Sequence, residues 1–173
     1  MKETLQDIFS LEDNKQFELA FDAYNNCYSR NKNDYEIWKH FYFFLWTVIE
    51  DAPNSFHEKI DLRHLLQVLL DEGKYNFSDK ADFNFIAGYT VSIFPYEYGD
   101  SDDLEDQAKE MLLKASQLEP GNLIYKLIYI GSNSSSNQQV YRQAKIDAAP
   151  KILEVFSGNG ALNNYFTQVL YKQ

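Results

Sequence analysis

Apolar side chains along this chain recur at spacings of three and four, and no stretch shows the strict alternation of a half-buried strand. Lys2 to Phe9 reads as a short helix. Ser10 with Asp13 three residues later reads as a capping box that opens a second helix near Leu11. Phe17, Ala20, Phe21, Tyr24 and Tyr28 share one face of it, and the polar run Ser29 to Asn33 ends it. Asp34 caps the next helix, Tyr35 to Glu50, which is apolar almost all round and therefore belongs at the centre of the packing. Pro53 and Asn54 make a turn, and Ser55 opens a helix to about Glu72 with Gly73 as its C-cap. Ser78 caps a helix to Phe94, stopped by Pro95. Asn122 caps Leu123 to Ile130, and a polar loop runs from Ser132 to Gln139. Helices over Val140 to Ala148, Pro150 to Phe156 and Ala161 to Tyr171 complete the chain. The pattern predicts an all-α fold of eight or nine helices paired as antiparallel hairpins.

The remaining helix lies in Leu104 to Asn122, LEDQAKEMLLKASQLEPGN. Small residues at Ala108 and Ala115 let a neighbouring helix approach closely, and Leu112 and Leu113 add bulk to the same side. Pro120 cannot continue the helix, and Gly121 turns the chain. The order Ala108, Leu112, Ala115, Pro120 resembles the second helix of a tetratricopeptide repeat. In such a repeat a small residue also sits inside the first helix, and Gly88 matches that place. A glycine there costs about 1 kcal/mol relative to alanine, which a close helix crossing would explain. The resemblance implies a TPR-like hairpin at about 79–120 with an insertion of about eight residues, within PYEYGDSDD, Pro95 to Asp103.

Composition narrows the class. Hydrophobic residues make up 45% of the 173, enough to build a core, and only 7 Gly and 4 Pro favour long helices. The length predicts a single helical domain over residues 1–173. The net charge of −10 repels nucleic acid and anionic membranes and favours basic partners. The single Cys27 excludes an intramolecular disulfide. The opening MKETLQDIFSLEDN lacks the apolar stretch of a secretory leader. The longest apolar run, Phe41 to Ile49, falls short of the roughly 20 residues a membrane span needs. A cytoplasmic protein is expected.

Catalytic patterns are missing. His40, His57 and His64 have no cysteine cluster or H-E-x-x-H beside them, so interhelix or surface roles are expected and no metal. No phosphate-binding glycine loop or nucleophile elbow occurs. Ser157 to Gly160 reads as a helix-ending turn and Cys27 as a small buried apolar residue. Asp100, Asp102 and Asp103 hint at a cation loop, but Glu105 and Met111 stand where the calcium-loop pattern needs Gly and Glu. Neither enzyme activity nor a cofactor is expected.

The insertion is the best binding candidate. No basic residue falls between Lys80 and Lys109, while Glu97, Asp100, Asp102, Asp103, Glu105 and Asp106 crowd the same window. Tyr96 and Tyr98 are interleaved with them. Tyrosine rings supply contact area and carboxylates pair with Lys or Arg of a partner. The plainer account is that carboxylates stabilise the start of a helix.

The chain closes on SGNGALNNYFTQVLY, Ser157 to Tyr171. With the preceding half repeat and LEPGNLIYKLIYIGS, Leu118 to Ser132, this ending resembles that of small acidic immunity proteins from bacterial toxin–immunity systems. Contact-dependent growth inhibition and related polymorphic toxins are among these systems. Gly160, Tyr165, Phe166 and Leu170 carry the match. Tyr165 and Phe166 themselves read as helix packing. The resemblance implies stoichiometric neutralisation of a cognate toxin C-terminal domain, often a basic nuclease, without direct nucleic-acid binding. The alternative is a general TPR-like adaptor, which would need a concave groove built from several regular repeats.

Overall fold

The computed structural model describes residues 4–100, 102–133 and 135–171. Among them are ten α-helices and no strand. The fold is all-α and built from helical hairpins. The chain divides into two compact units, residues 1–76 with 156–173, and residues 77–155.

The first unit holds α1 (Leu5–Asp13), α2 (Phe17–Arg30), α3 (Tyr35–Asp51), α4 (Asn54–His57), α5 (Leu62–Phe77) and α10 (Ala161–Phe166). A π-helical turn over Thr167–Tyr171 extends α10. The central helix is α3, as its all-round apolar sequence predicts. Trp38, Phe41, Tyr42, Phe43, Phe44 and Leu45 are all buried. Rings hold its neighbours in place. Tyr24 of α2 stacks on Phe41 at 5.4 Å, and Phe166 of α10 lies 5.4 Å from Phe43. Burying each such side chain stabilises the fold by about 1.5–3 kcal/mol. The indole N–H of Trp38 donates to the Leu69 carbonyl at 2.8 Å, which ties α3 to α5.

Several boundaries differ from the sequence reading. The first capping box is Thr4–Asp7: the Asp7 N–H donates to the Thr4 hydroxyl at 3.3 Å, and the Thr4 N–H to the Asp7 carboxylate at 2.9 Å. Ser10 sits inside α1 and donates to the Gln6 carbonyl, so the break between α1 and α2 comes later, where Lys15 turns left-handed at φ 55°. The expected helix from Ser55 to Glu72 is two helices, because the Asp61 carboxylate accepts the His64 N–H at 3.0 Å and begins α5 anew. Gly73 is interior to α5, which runs on to Phe77, since Tyr75 and Phe77 continue the helix past it.

The second unit holds α6 (Ala81–Ile93), α7 (Leu104–Leu118), α8 (Leu123–Ser132) and α9 (Gln138–Val155). Ser78 does not cap α6; its carbonyl accepts from the Asn84 side chain, and the helix starts at Ala81. The two helices expected either side of Ala149 are one: α9 continues through Pro150, although a proline gives up a helical hydrogen bond and crowds the carbonyl four residues before it. The one split and the one merger cancel, and the described residues hold ten helices against the eight or nine expected. The α6–α7 pair crosses at Gly88. A Cβ there would lie 3.0 Å from the Ala108 carbonyl oxygen, Met111 Cβ and Leu112 Cγ. Ala108, Leu112 and Ala115 are buried, so the small-residue stripe is the contact face of α7.

Candidate functional site

The acidic segment joins α6 to α7. Pro95 cannot extend α6, and the chain makes a 3-10 turn over Pro95–Tyr98, with the Glu97 N–H donating to the Phe94 carbonyl at 3.1 Å. This turn sorts the candidate side chains. Tyr96 points outward at 58% exposure, and its ring lies 5.6 Å from that of Phe94. Glu97 and Tyr98 turn inward and are 1% and 9% exposed. They therefore leave the set of surface contacts that composition suggested. A short 3-10 turn has three residues per cycle, so neighbours in sequence face different ways. Gly99 then adopts φ 125°, a conformation that side-chain-bearing residues rarely take, and redirects the chain.

Asp100, Asp102 and Asp103 follow, all exposed. Asp103 occupies the N-cap position of α7 without a side-chain capping bond, and its carbonyl accepts the Gln107 N–H at 2.9 Å. Leu104 is buried and anchors the helix start. Glu105 and Asp106 lie exposed in the first turn, where a carboxylate interacts favourably with the helix dipole. The outward set is thus Tyr96, Asp100, Asp102, Asp103, Glu105 and Asp106, carried on the hairpin fixed by the Gly88 crossing. Part of this charge supports α7, and all of it faces solvent.

Other polar clusters lie inside the helical packing. Glu12 of α1 accepts the Tyr24 hydroxyl at 2.8 Å and the Ala161 backbone N–H at 2.8 Å, and so holds the start of α10 against α1 and α2. Burial pushes its carboxyl up to about 7, against the opposing pull of those two hydrogen bonds. No local sequence signal marks this residue, because its backbone partner lies 149 positions away. Glu72 of α5 accepts from the Tyr28 hydroxyl and the Lys32 ammonium, both at 2.6 Å. Burial works against its charge, but the two donors outweigh burial and hold the carboxyl below its usual range. Tyr125 of α8 donates to Asp82 of α6 at 3.3 Å. Each cluster bridges helices within its own unit.

His40 is buried with its ring 4.7 Å from Phe9. His57 and His64 fall on different helices, α4 and α5, and share no helix face. Cys27 is half-buried on α2. Among the described residues, no group of three or more His, Cys, Asp or Glu is placed to hold a metal ion. No described helix is long and apolar enough to cross a membrane. The concavities lined by described residues include two that are open to solvent. One, of about 580 Å³, lies between α3, α4 and the start of α5 and includes His57, Lys59 and Arg63 in its wall. Lys59 is held in an ion pair with Glu18 at 2.8 Å. The other, of about 190 Å³, lies between α8 and α9 over Leu123, Ile130, Val140 and Ala144.

The residues that carry the immunity-protein resemblance all serve packing. Gly160 has φ 94°, and a Cβ there would come within 2.7 Å of the Phe9 ring. Phe166 and Leu170 are buried, and Tyr165 meets Trp46 edge-on at 5.2 Å. No protein-family model, curated protein or solved structure matches the chain.

Proposed function

We propose that this protein neutralises a cognate toxin domain by binding it one to one, in the cytoplasm of the cell it protects. The observation that carries the proposal is the outward acidic set around Tyr96 and Asp100–Asp106, held on a hairpin whose own packing is complete at Gly88 and Ala108. An aromatic ring among carboxylates suits a partner rich in Lys and Arg. A nuclease domain has such a surface where it receives nucleic acid, and an acidic helix end could occupy that cleft and exclude the substrate. Opposite charges also speed encounter in a salt-dependent way. The ending from Ser157 to Tyr171 supports the immunity class through its likeness in sequence.

The test is co-purification with the product of the gene immediately upstream, followed by growth of cells that express that product with and without this protein. One-to-one association with rescue of growth is expected. Association without any effect on growth would favour the adaptor reading. Absence of both would refute the proposal.

A further inference from the structure

The far end of the chain closes the first unit. There α10 is only six residues long, and its π-helical extension adds five. A helix this short has little stability of its own, so docking must hold it. Phe166 supplies one hold, with its ring 5.4 Å from Phe43 of α3 and 4.8 Å from Phe156. The other hold is polar and lies where α10 begins. Glu12 Oε2 accepts the Ala161 N–H at 2.8 Å, and Glu12 Oε1 lies 2.8 Å from the Tyr24 hydroxyl oxygen of α2. Beside it, the Asn164 side chain donates to the Asp13 carboxylate at 3.3 Å.

This arrangement suits a neutral carboxyl. The Glu12 O–H can donate to Tyr24 Oη while Oε2 still accepts from Ala161, so both carboxyl oxygens are used. An ionised carboxyl keeps two donors but stays away from water, with Asp13 beside it as a like charge. Burial accordingly raises Glu12 to about 7. The other titratable groups at this junction come from three helices. Tyr24 of α2 is itself held neutral by burial, with Cys27 next to it. From α3, the His40 ring lies against Phe9 of α1, with Glu36 3.9 Å from the imidazole. Tyr165 of α10 faces Phe43 and Trp46 instead.

We infer that Glu12 is a proton-controlled clasp on the C-terminal segment: the neutral carboxyl pins α10 to α1 and α2, and its ionisation releases residues 160–171 while α1 to α5 stay folded. Release uncovers Phe43 and Trp46 of α3, on which Phe166 and Tyr165 rest. The closed segment holds the proton more tightly than the open one. Opening is therefore rarest below about 4.5 and grows as pH rises through 7. The clasp lies in the first unit and does not depend on the surface proposed to bind the toxin.

Native-state hydrogen exchange on the intact protein tests it, read by mass spectrometry between pH 5.5 and pH 8 and corrected for intrinsic exchange rates. At pH 8 residues 160–171 should open more often than Phe41–Ile49 of α3, and their opening should fall roughly tenfold or more by pH 5.5. The amide of Glu12→Gln can donate to Tyr24 and accept from Ala161 as the neutral carboxyl does, so this variant should keep the low opening at both pH values. An imidazole ordinarily titrates in the same range, and a Glu12→Gln variant that retains the pH step would assign it to His40 and overturn the inference. The parent alone can also overturn it, by opening residues 160–171 only as often as α3 or by opening them independently of pH.

Discussion

The helix contacts that define the two units differ in kind. In the first, large rings fill the space between helices: Tyr24, Phe41, Phe43 and Phe166 interlock around α3. In the second, α6 and α7 cross where a glycine leaves room, with Gly88 against the Ala108 carbonyl, Met111 and Leu112. A ring-filled core loses contacts when a side chain is cut down, whereas a close crossing fails when one is built up. The polar surfaces differ as well. The first unit's notable carboxylates, Glu12 and Glu72, are hydrogen-bonded between helices. The second unit presents most of its carboxylates outward, five of them at or just before the start of α7. The unit with the close crossing at Gly88 is the one that carries the candidate binding surface.

Four variants test this contrast. The largest effect is expected from Phe166→Ala, which empties a fully buried ring position and should cost about 3–5 kcal/mol in denaturant unfolding. Gly88→Leu should come next, at about 3 kcal/mol, because the added side chain meets the Ala108 carbonyl and Leu112 with no space to enter. A neutral Gly88→Leu would mean that the α6–α7 crossing is looser than its 3.0 Å contacts.

Glu12 gives a smaller, pH-dependent effect. Its folded pKa of about 7 lies above the ordinary 4.5, so the folded state holds the proton more tightly. The stability this adds is fully present below about 4.5 and is lost as pH rises through 7. The contribution of this group should therefore be larger at pH 5 than at pH 8, and Glu12→Gln should flatten that part of the melting-temperature profile. A variant whose profile parallels the parent's across this window would remove Glu12 as the source. The smallest effect on stability is expected from D102K/D103K/D106K, within about 1 kcal/mol, since all three side chains are exposed and some helix-start charge is lost. The same variant should lose most affinity for a basic partner.

Much of the architecture was legible because the responsible signals are local. The apolar circumference of α3, the Asp34 and Asn122 caps, and the Gly88–Ala108 stripe are each contained in one or two helices. Boundaries decided by competition between local signals were less legible. Ser10 with Asp13 matches a capping box as well as Thr4 with Asp7 does, and only the backbone at Lys15 shows where the helix stops. The candidate surface was legible as composition but not as direction. Nothing in PYEYGDSDD distinguishes Tyr96 from Tyr98, yet the 3-10 turn exposes one and buries the other. Contacts between chain ends, such as Glu12 with Ala161, leave no local trace.

The proposed partner of the exposed carboxylates on the α6–α7 hairpin is a basic toxin domain. The most direct measurement is a calorimetric titration of the product of the gene immediately upstream, the proposed partner, with the parent and with D102K/D103K/D106K. One-to-one binding by the parent, weakened at least tenfold by the three reversals, is the predicted result; equal affinity for the two proteins would contradict it.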